Sequence, residues 1–389
     1  MPRVALLIDS LAVGGAERVF SHLASGLAER DQDIHIICIS KAPGYKLPDH
    51  IKVHYLTSQE NNRSRLVKIV SLPLIVLRLF LFIRAHQINV VQSHLMTSSV
   101  VNLLCRRFTR YRAQVVHTGQ MGYGYSKTKT FFVRHLMRWL YTKVDTVVCK
   151  SEGMRHHLLK WFDGLEVPCI KIHNPINIQY IQQQANQSEG SLNERKLNNR
   201  AGFKIIMVGR LIASKRHRDM IEALAYFDQP AQLIIIGDGP LMHELKSMVS
   251  VLQLDNKVQF VGHLDNPFAY MSQADVFVSC SESEGFPNVL VEAMACGVPV
   301  IAADCMAGPR EILAQQNDYS TVLNEAVYDV NGMRYPVGDV NQLLVLLKRC
   351  YEDPRLRQHY SAQGLIKVND YALDVILEHY SALLKGEMV

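Results

Sequence analysis

Short apolar runs alternate with helical segments along the whole of this chain, and this alternation limits the folds that it can adopt. The unit over residues 274–302 is the clearest example. An apolar run leads into a polar loop, Pro287 suits the first position of a helix because it lacks an N–H group, and Gly297 suits the end of that helix. Strands that alternate with helices favour parallel sheets. Because 389 residues exceed what one hydrophobic core normally serves, we predict an α/β protein with two parallel-sheet domains.

A polar stretch near the middle of the chain marks the expected domain boundary. It contains Gln182-Gln183-Gln184 and Asn198-Asn199, and it has little apolar surface to bury. We therefore predict four parts: an N-terminal domain over residues 1–175, a linker over 176–201, a C-terminal domain over 202–370 and a final segment over 371–389 that contains an amphipathic helix.

Two carboxylates flank the start of the helix in the 274–302 unit. The unpaired N–H groups at the start of such a helix attract phosphates. Glu292 lies about one turn into the helix, where its carboxylate can accept hydrogen bonds from two ribose hydroxyls, and Glu284 in the loop can reach a sugar. For an isolated pair of glutamates, a solvated loop charge and an exposed helix residue would be the better explanation.

Two cations lie at another strand-to-helix junction. An apolar run from residue 204 ends in Gly209-Arg210, and Lys215 follows at the start of a helical stretch. Arginine offers a planar fork to phosphate oxygens and lysine a mobile point charge, so the pair suits a diphosphate. Taken alone, a surface arginine and lysine are more often solvated charges than ligands.

The first half of the chain offers a glycine turn and two histidines at the ends of apolar runs. Gly14 and Gly15 follow the first run, where they allow a close approach of the backbone to a ligand, although a turn that needs positive φ would explain one of them equally well. His94 and His117 each end a predicted strand, and the carboxyl edge of an open parallel sheet is where ligands bind. For His94, a hydrogen bond to a nearby group within the protein is an equal alternative.

Several of these segments together resemble the family 4 retaining glycosyltransferases. The family pattern of a glutamate, seven residues and a second glutamate before Gly-Val-Pro-Val matches 284–300, and Gly14-Gly15-Ala16-Glu17, Gly209-Arg210-Leu211 and Gly237-Asp238-Gly239-Pro240 also match. The resemblance covers nearly the whole chain and is strongest over residues 202–313. It implies the GT-B fold, in which two Rossmann-like domains face a central cleft and the last helix returns to the N-terminal domain.

The resemblance also implies roles for single residues. Arg210 and Lys215 would bind the donor diphosphate and Glu292 the ribose. Glu284, with the backbone amides of the four residues that follow it, would hold the transferred sugar. Those four residues are Gly285, Phe286, Pro287 and Asn288. Gly14 and Gly15 would lie beside the donor phosphates, and His117 would contact the sugar, so Glu284 and His117 are the candidate catalytic residues.

The implied activity is transfer of a sugar from a nucleotide sugar, most often a UDP-sugar in this family, as co-substrate. Two cations that neutralise the leaving diphosphate remove the need for a metal ion, so we expect no metal and no further cofactor. A nucleotide-sugar epimerase of the same fold, or a non-catalytic binder of sugar nucleotides, is the alternative. An epimerase would need no acceptor, whereas both carboxylates and both cations argue against a decayed site.

Charge separates the two halves of the chain. Residues 1–190 hold 24 Lys or Arg and 12 Asp or Glu, and residues 61–144 hold 14 Lys or Arg and no acidic residue. Within that basic stretch, the apolar segments 65–84 and 127–143 also carry cations, which suits a helix in the interface of an anionic membrane. The candidate membrane- or acceptor-facing cations are Lys68, Arg78, Arg84, Lys127, Lys129, Arg134 and Arg138.

Two alternatives remain for this basic stretch. Residues 65–84 could be a buried helix of the N-terminal sheet whose charged ends reach solvent, and the two explanations can hold together. No known nucleic-acid motif is present, and the apolar company of the cations favours lipid, so nucleic acid is not an expected partner. Without a signal peptide or paired cysteines, we predict a cytoplasmic protein at the inner face of the cell membrane, acting on a polyprenyl-diphosphate-linked glycan or a lipopolysaccharide intermediate.

Overall fold

A computed structural model describes residues 2–30, 33–57, 65–117, 127–162, 166, 168–187, 202–305, 307–314, 319 and 321–387, with the side chains of 65–69 and 127–129 excepted. The chain divides into two compact units, Met1–Pro175 with Leu373–Val389, and Ile176–Ala372. The prediction of two parallel-sheet α/β domains is confirmed, because each unit contains a seven-stranded, mostly parallel sheet. All eight cysteines are free thiols.

The sheet of the first unit is parallel throughout and has the strand order β3-β2-β1-β4-β5-β6-β7. The strands are β1 (Val4–Ile8), β2 (Ile34–Cys38), β3 (Val53–Tyr55), β4 (Val90–His94), β5 (Arg112–Val116), β6 (Thr146–Cys149) and β7 (Cys169–Lys171). The helices described between them are α1 (Gly15–Ala28), α2 (Arg65–Ala85), α3 (Met96–Cys105), α4 (Lys127–Tyr141) and α5 (Glu152–Trp161). The central strand β1 is fully buried, because parallel sheets are covered on both faces.

The last helix of the chain belongs to this first unit. It spans Leu373–Lys385, packs against α1, and shares one apolar cluster with Phe20 and Leu23 of that helix. Arg112 of β5 donates a hydrogen bond of 2.6 Å to the carbonyl of Leu384, near the end of this helix.

The sheet of the second unit has the order β10-β9-β8-β11-β12-β14-β13, and only the edge strand β13 is antiparallel. The strands are β8 (Phe203–Val208), β9 (Ala231–Ile236), β10 (Val258–Gly262), β11 (Val276–Ser279), β12 (Val300–Ala303), β13 (Val327–Tyr328) and β14 (Met333–Tyr335). The helices are α6 (Ile178–Ala185), α7 (His217–Ala225), α8 (Met242–Val251), α9 (Phe268–Met271), α10 (Asn288–Ala295), α11 (Pro309–Leu313), α12 (Val340–Glu352) and α13 (Pro354–Lys367), and α14 is the Leu373–Lys385 helix of the first unit. Ile205 and Met207 of β8 join the apolar cluster on one face of the sheet, and Ile206 joins the cluster on the other.

The predicted linker differs from the structure in its first part. Helix α6 lies within residues 176–201 and packs in the second unit, where Asn266 donates a hydrogen bond of 3.0 Å to the carbonyl of Gln184. Its buried Ile181 joins the apolar cluster of that unit, which a reading of the polar glutamines alone could not show. Residues 188–201 of the predicted linker lie outside the described residues.

Candidate active site

The strand order reverses at one position in each sheet, and the candidate residues lie next to these positions. In the first sheet β1 lies between β2 and β4, and in the second β8 lies between β9 and β11. Ligands of open parallel sheets bind at the carboxyl ends of the strands beside such a reversal. The Gly14–Gly15 turn follows β1, and Arg210 and Glu284 follow β8 and β11.

Lys215 and Glu284 form an ion pair at the carboxyl edge of the second sheet. The Nζ atom of Lys215 contacts Oε1 of Glu284, and the two side chains are 25% and 12% exposed. Lys215 ends the short 3-10 turn Ala213–Lys215, whereas Glu284 lies in the loop between β11 and α10. The sequence placed both residues in a donor site, and the structure brings them into direct contact.

A second link between the same two loops involves residues that the sequence analysis missed. The backbone N–H of Glu282 donates to the carbonyl of Ser214 at 3.0 Å, and Arg216 lies 3.4 Å from the Glu282 carboxylate. Arg216 has a left-handed φ of 48° and also donates to Asp219 at 2.7 Å. These contacts hold the Lys215 turn against the Glu284 loop, and the motif spacing carried no signal for them.

The loop after β12 supports the Glu284 loop from its other end. Gly308 lies so close to Pro287 that a Cβ on it would stand 2.2 Å from the proline Cδ, and its φ is +86°. Pro287 was predicted to be the first residue of helix α10, but the helix begins one residue later, at Asn288, and Pro287 directly precedes it. Gly285 in the loop and Asn288 at the helix start are partly buried. Phe286 packs edge-on against Tyr371, with ring centroids 5.3 Å apart.

Arg210 and Glu292 occupy different environments. Arg210 is exposed, and no described residue accepts a hydrogen bond from its guanidinium. Its turn is fixed by the Gly237–Pro240 turn, because the N–H of Leu211 donates to the carbonyl of Asp238 at 2.9 Å. Glu292 of α10 is 3% exposed. Burial raises the pKa of the Cys296 thiol, and the charge of Glu292 raises it further. The exposed-helix explanation for Glu292 is therefore wrong.

In the first unit, the carboxylate of Glu17 lies against the Gly14 turn. A Cβ on Gly14 would stand 2.3 Å from Oε2 of Glu17, whereas a Cβ on Gly15 would meet nothing within 4 Å. Gly14 is extended, with φ −174°, and neither glycine is among the described residues with positive φ, so a turn that needs positive φ is not the reason for the pair. The close approach of the Glu17 carboxylate explains why residue 14 is a glycine, whereas the space beside the Gly15 backbone is open.

His117 and His94 are both buried, and each has a partner within the unit. Tyr141 lies 2.7 Å from Nε2 of His117, and burial, with smaller effects of His157 and Lys150, lowers the pKa of His117 to about 4. The imidazole is therefore neutral at pH 7, and it shares a hydrogen bond with the Tyr141 hydroxyl. Nε2 of His94 lies 3.2 Å from the Gln92 side-chain oxygen, which supplies the intramolecular partner considered for this histidine.

The cations of the basic stretch differ in what they contact. Arg78 donates to the carbonyl of Leu56 at 2.6 Å, Arg138 donates to that of Phe162 at 3.3 Å, and Arg84 lies 5.7 Å from the ring of Phe80. Arg134 is half-buried. The side chains of Lys68, Lys127 and Lys129 lie outside the described residues.

Helices α2 and α4 expose large apolar side chains on one side. On α2 these are Val70, Leu74, Leu77 and Leu81, and on α4 they are Phe131, Phe132, Leu136 and Trp139. The opposite side of α2 is buried through Ile75, Val76, Leu79 and Ile83, and the helix packs against α3. In the part of the chain that the structure describes, no helix combines the length and apolar character needed to cross a bilayer. Thus α2 is buried on one side, as the buried-helix explanation for residues 65–84 requires, and is apolar on its exposed side.

Two α/β units, each with a mostly parallel seven-stranded sheet, are the architecture of the GT-B fold. Sucrose-phosphate synthase from Thermosynechococcus elongatus has the same fold, with a TM-score of 0.80, 19% identity and 99% coverage of both chains. Residues 13–180 match the family described as Glycosyltransferase Family 4, and residues 191–365 match Glycosyl transferases group 1. The chain belongs to the family 4 glycosyltransferases, as its motifs predicted.

Two relatives have described activities. A Campylobacter jejuni protein is 28% identical over 92% of this chain and 93% of its own length; it is an N-acetylgalactosamine-N,N'-diacetylbacillosaminyl-diphospho-undecaprenol 4-alpha-N-acetylgalactosaminyltransferase. An Escherichia coli protein is 24% identical over 94% of this chain and 95% of its own length; it is a UDP-Gal:alpha-D-GlcNAc-diphosphoundecaprenol alpha-1,3-galactosyltransferase. The prediction of a glycosyltransferase is thus confirmed, and neither relative is an epimerase.

Proposed function

We propose that this glycosyltransferase moves a hexose or N-acetylhexosamine from a UDP-sugar to a lipid-linked diphosphate glycan at a membrane surface. The observation that carries the proposal is the contact between Lys215 and Glu284 at the strand reversal of the second sheet. A cation for phosphate and a carboxylate for sugar hydroxyls are held together there by the links between their loops.

The donor roles follow from the chemistry of these side chains. Arg210 is exposed and supplies a planar fork, and Lys215 a point charge, for the two phosphates of the donor. Glu284 accepts hydrogen bonds from the sugar hydroxyls, and the backbone N–H groups of Gly285 and Phe286, in the loop before α10, donate to the sugar. Pro287 has no N–H group to offer. Glu292 accepts hydrogen bonds from the ribose after a small opening of its buried position.

Departure of the nucleotide builds negative charge on the diphosphate. Two fixed cations stabilise that charge most strongly in the transition state, where it is greatest. We therefore propose that transfer requires no metal ion. Attack by the acceptor on the face that the nucleotide leaves retains the anomeric configuration, and no covalent nucleophile is assigned.

The first unit supplies the acceptor side. His117 is neutral at pH 7 and follows β5 at the carboxyl edge of the first sheet, two strands away from β1 and its Gly14–Gly15 turn. The acceptor class rests on the two relatives, both of which act on glycans linked through a diphosphate to undecaprenol.

We further propose that the exposed side of α2 and α4 binds the inner face of the cell membrane. The four exposed apolar residues of α2, at spacings of four, three and four, form one helix face. The surrounding arginines attract anionic headgroups, and the apolar side chains enter the acyl boundary. Such a position gives the site access to acceptors that cannot leave the bilayer.

A transfer assay tests the proposal. Labelled UDP-, GDP- and ADP-sugars are supplied with bacterial membranes, with and without EDTA, and label is measured in the organic extract. We expect label from one UDP-sugar, no effect of EDTA, and loss of label in Glu284→Ala. The exposed Glu222 of α7 gives the matched control, and Glu222→Ala keeps full activity. Free nucleotide sugar converted without any lipid label, or a β-linked product from an α-linked donor, would contradict the proposal.

A further inference from the structure

A buried lysine lies at the carboxyl edge of the first sheet. Lys150 directly follows β6 and is 3% exposed. Among the described residues, none accepts a hydrogen bond from its ammonium group and no carboxylate forms an ion pair with it. Lysines are almost never buried to this extent without a partner, because the ammonium loses its hydration.

The polar surroundings of Lys150 come from helix α1 and from the ends of strands β4 and β5. Burial lowers the pKa of Lys150 to about 8, and the charge of Glu17 opposes this effect. Burial lowers the pKa of His94 well below its usual range, and the charge of Lys150 adds to that. The pKa of His117 is lowered mainly by burial, then by His157, and to a smaller extent by the charge of Lys150. The ammonium group therefore lies within electrostatic reach of Glu17, His94 and His117.

The backbone N–H groups at the starts of the helices on this edge already have side-chain acceptors within the protein. Oδ1 of Asp9 accepts from the N–H of Ser98 at 2.7 Å, and the Ser151 side chain accepts from that of Met154 at 3.2 Å. Glu17 accepts from its own backbone N–H. The carboxylates of Asp9 and Glu17 thus accept hydrogen bonds from backbone N–H groups at helix starts, and both histidines are neutral. Lys150 is the cation at this edge for which the described part of the unit supplies no acceptor.

We propose that Lys150 is the cation of a phosphate-binding subsite in the first unit, beside Glu17, His94 and His117. A phosphate supplies both the charge and the acceptors that three ammonium donors need, whereas a sugar hydroxyl supplies no charge. The identity of the ligand rests on the proposed function, in which donor and acceptor each carry a diphosphate. Arg210 and Lys215 provide for one diphosphate, and Lys150 provides a cation in the unit that supplies the acceptor side.

Calorimetric titration with inorganic pyrophosphate tests the subsite without any transfer reaction. The full-length protein is expected to bind two pyrophosphates. Lys150→Met weakens one site by about 10- to 100-fold, the usual effect of losing a charge-assisted hydrogen bond, and Arg210→Ala weakens the other. Lys150→Arg keeps the charge and most of the binding. Circular dichroism checks the fold of each variant, and an unchanged isotherm for folded Lys150→Met overturns the subsite.

A measurement on the unaltered protein covers the case in which Lys150→Met does not fold. With a pKa of about 8, Lys150 is half deprotonated at pH 8 and takes up roughly half a proton when an anion binds. Titrations in two buffers of different ionisation enthalpy measure this uptake. In Lys150→Arg the side chain stays charged, so this variant serves as the reference and reports only the protons that pyrophosphate itself exchanges. Equal uptake by both proteins overturns the subsite.

Steady-state kinetics then assigns the phosphate to one substrate. A rise in KM for the lipid acceptor in Lys150→Met, with little change in KM for the UDP-sugar, assigns it to the acceptor. The opposite pattern assigns it to the donor. A fall in kcat with both KM values unchanged contradicts a binding role. If the unaltered protein transfers no sugar, the proposed function fails, and the calorimetric result still decides the subsite.

Discussion

Arg310 holds the carboxylate of Asp304 in a two-point fork, with Nε at 2.8 Å and Nη2 at 2.5 Å. Arg334 contacts the same carboxylate and also donates to Asp329 at 2.5 Å. All of these groups are buried or nearly so, and Asp304 and Arg310 lie at the two ends of the loop that holds Gly308 against Pro287. The network therefore fixes the support of the Glu284 loop, in addition to joining β12 and β14.

Removal of Asp304 should destabilise the second unit strongly. Asp304→Ala leaves two arginines buried without their shared acceptor, and breaking such a buried pair costs about 3–5 kcal/mol. Both tryptophans of the chain, Trp139 and Trp161, are in the first unit. Urea unfolding followed by circular dichroism should therefore shift to lower urea, while tryptophan fluorescence shifts less.

An exposed ion pair of the same unit is the control for Asp304. Asp228 lies 3.7 Å from Lys348 and is 68% exposed, so Asp228→Ala should change the free energy of unfolding by less than about 0.5 kcal/mol. Equal effects of the two substitutions would show that the buried network contributes no more than a surface pair.

The Lys215–Glu284 pair predicts a large, non-additive loss of activity. Glu284→Gln removes the charge that holds Lys215 and one acceptor for the sugar, and we expect kcat/KM to fall about 100-fold or more. Lys215→Ala should cost a similar factor. Because the two side chains act together, the double variant should be little worse than either single variant. Initial rates of sugar transfer measure all three, and fully multiplicative losses would mean that the two residues act independently.

The low pKa of His117 predicts an acid-sensitive first unit. Between the ordinary histidine pKa of about 6.5 and the folded value of about 4, the unfolded chain binds more protons than the folded one. The free energy of unfolding therefore falls as the pH falls through this window, and His117 alone accounts for about 2 kcal/mol at pH 5. His117→Gln keeps an acceptor for Tyr141 and should reduce the difference in stability between pH 7.5 and pH 5 by that amount.

Tryptophan fluorescence during urea unfolding at the two pH values measures this difference in the first unit. His50 is exposed, so His50→Gln should leave the difference unchanged. A His117→Gln protein with the same acid sensitivity as the unaltered one would show that other groups, with His94 the first candidate, set the pH dependence.

The sequence identified residues that lie within local motifs, but not those that depend on distant contacts. Glu284, Lys215 and the Gly14 turn could be predicted because each lies in a short strand-to-helix pattern. The contact of Arg334 with Asp304 joins residues 30 positions apart, and nothing local to either of them indicates it. Lys150 had no motif around it and became notable only through its burial.

Helix α2 shows a second limit of sequence reasoning. It is apolar on all sides, so its periodicity could not show which residues face the sheet. The structure buries Leu79 and exposes Leu77, and it turns the guanidinium of Arg78 to the Leu56 carbonyl. Which cations are exposed therefore depends on tertiary contacts that composition does not contain.

The exposed face of α2 predicts that single apolar-to-charged substitutions weaken membrane binding. Leu77 is 50% exposed, so burial of its exposed half in the acyl boundary contributes about 1 kcal/mol. Placing a carboxylate there costs more, so Leu77→Glu should reduce binding to vesicles of equal phosphatidylcholine and phosphatidylglycerol by about 10-fold or more. Val345 of α12 is equally exposed in the second unit, and Val345→Glu adds the same charge away from this face. Vesicle co-sedimentation at low and high salt separates the apolar from the electrostatic contribution. Equal binding by Leu77→Glu and Val345→Glu would show that α2 does not enter the bilayer, and would leave its apolar face to another partner.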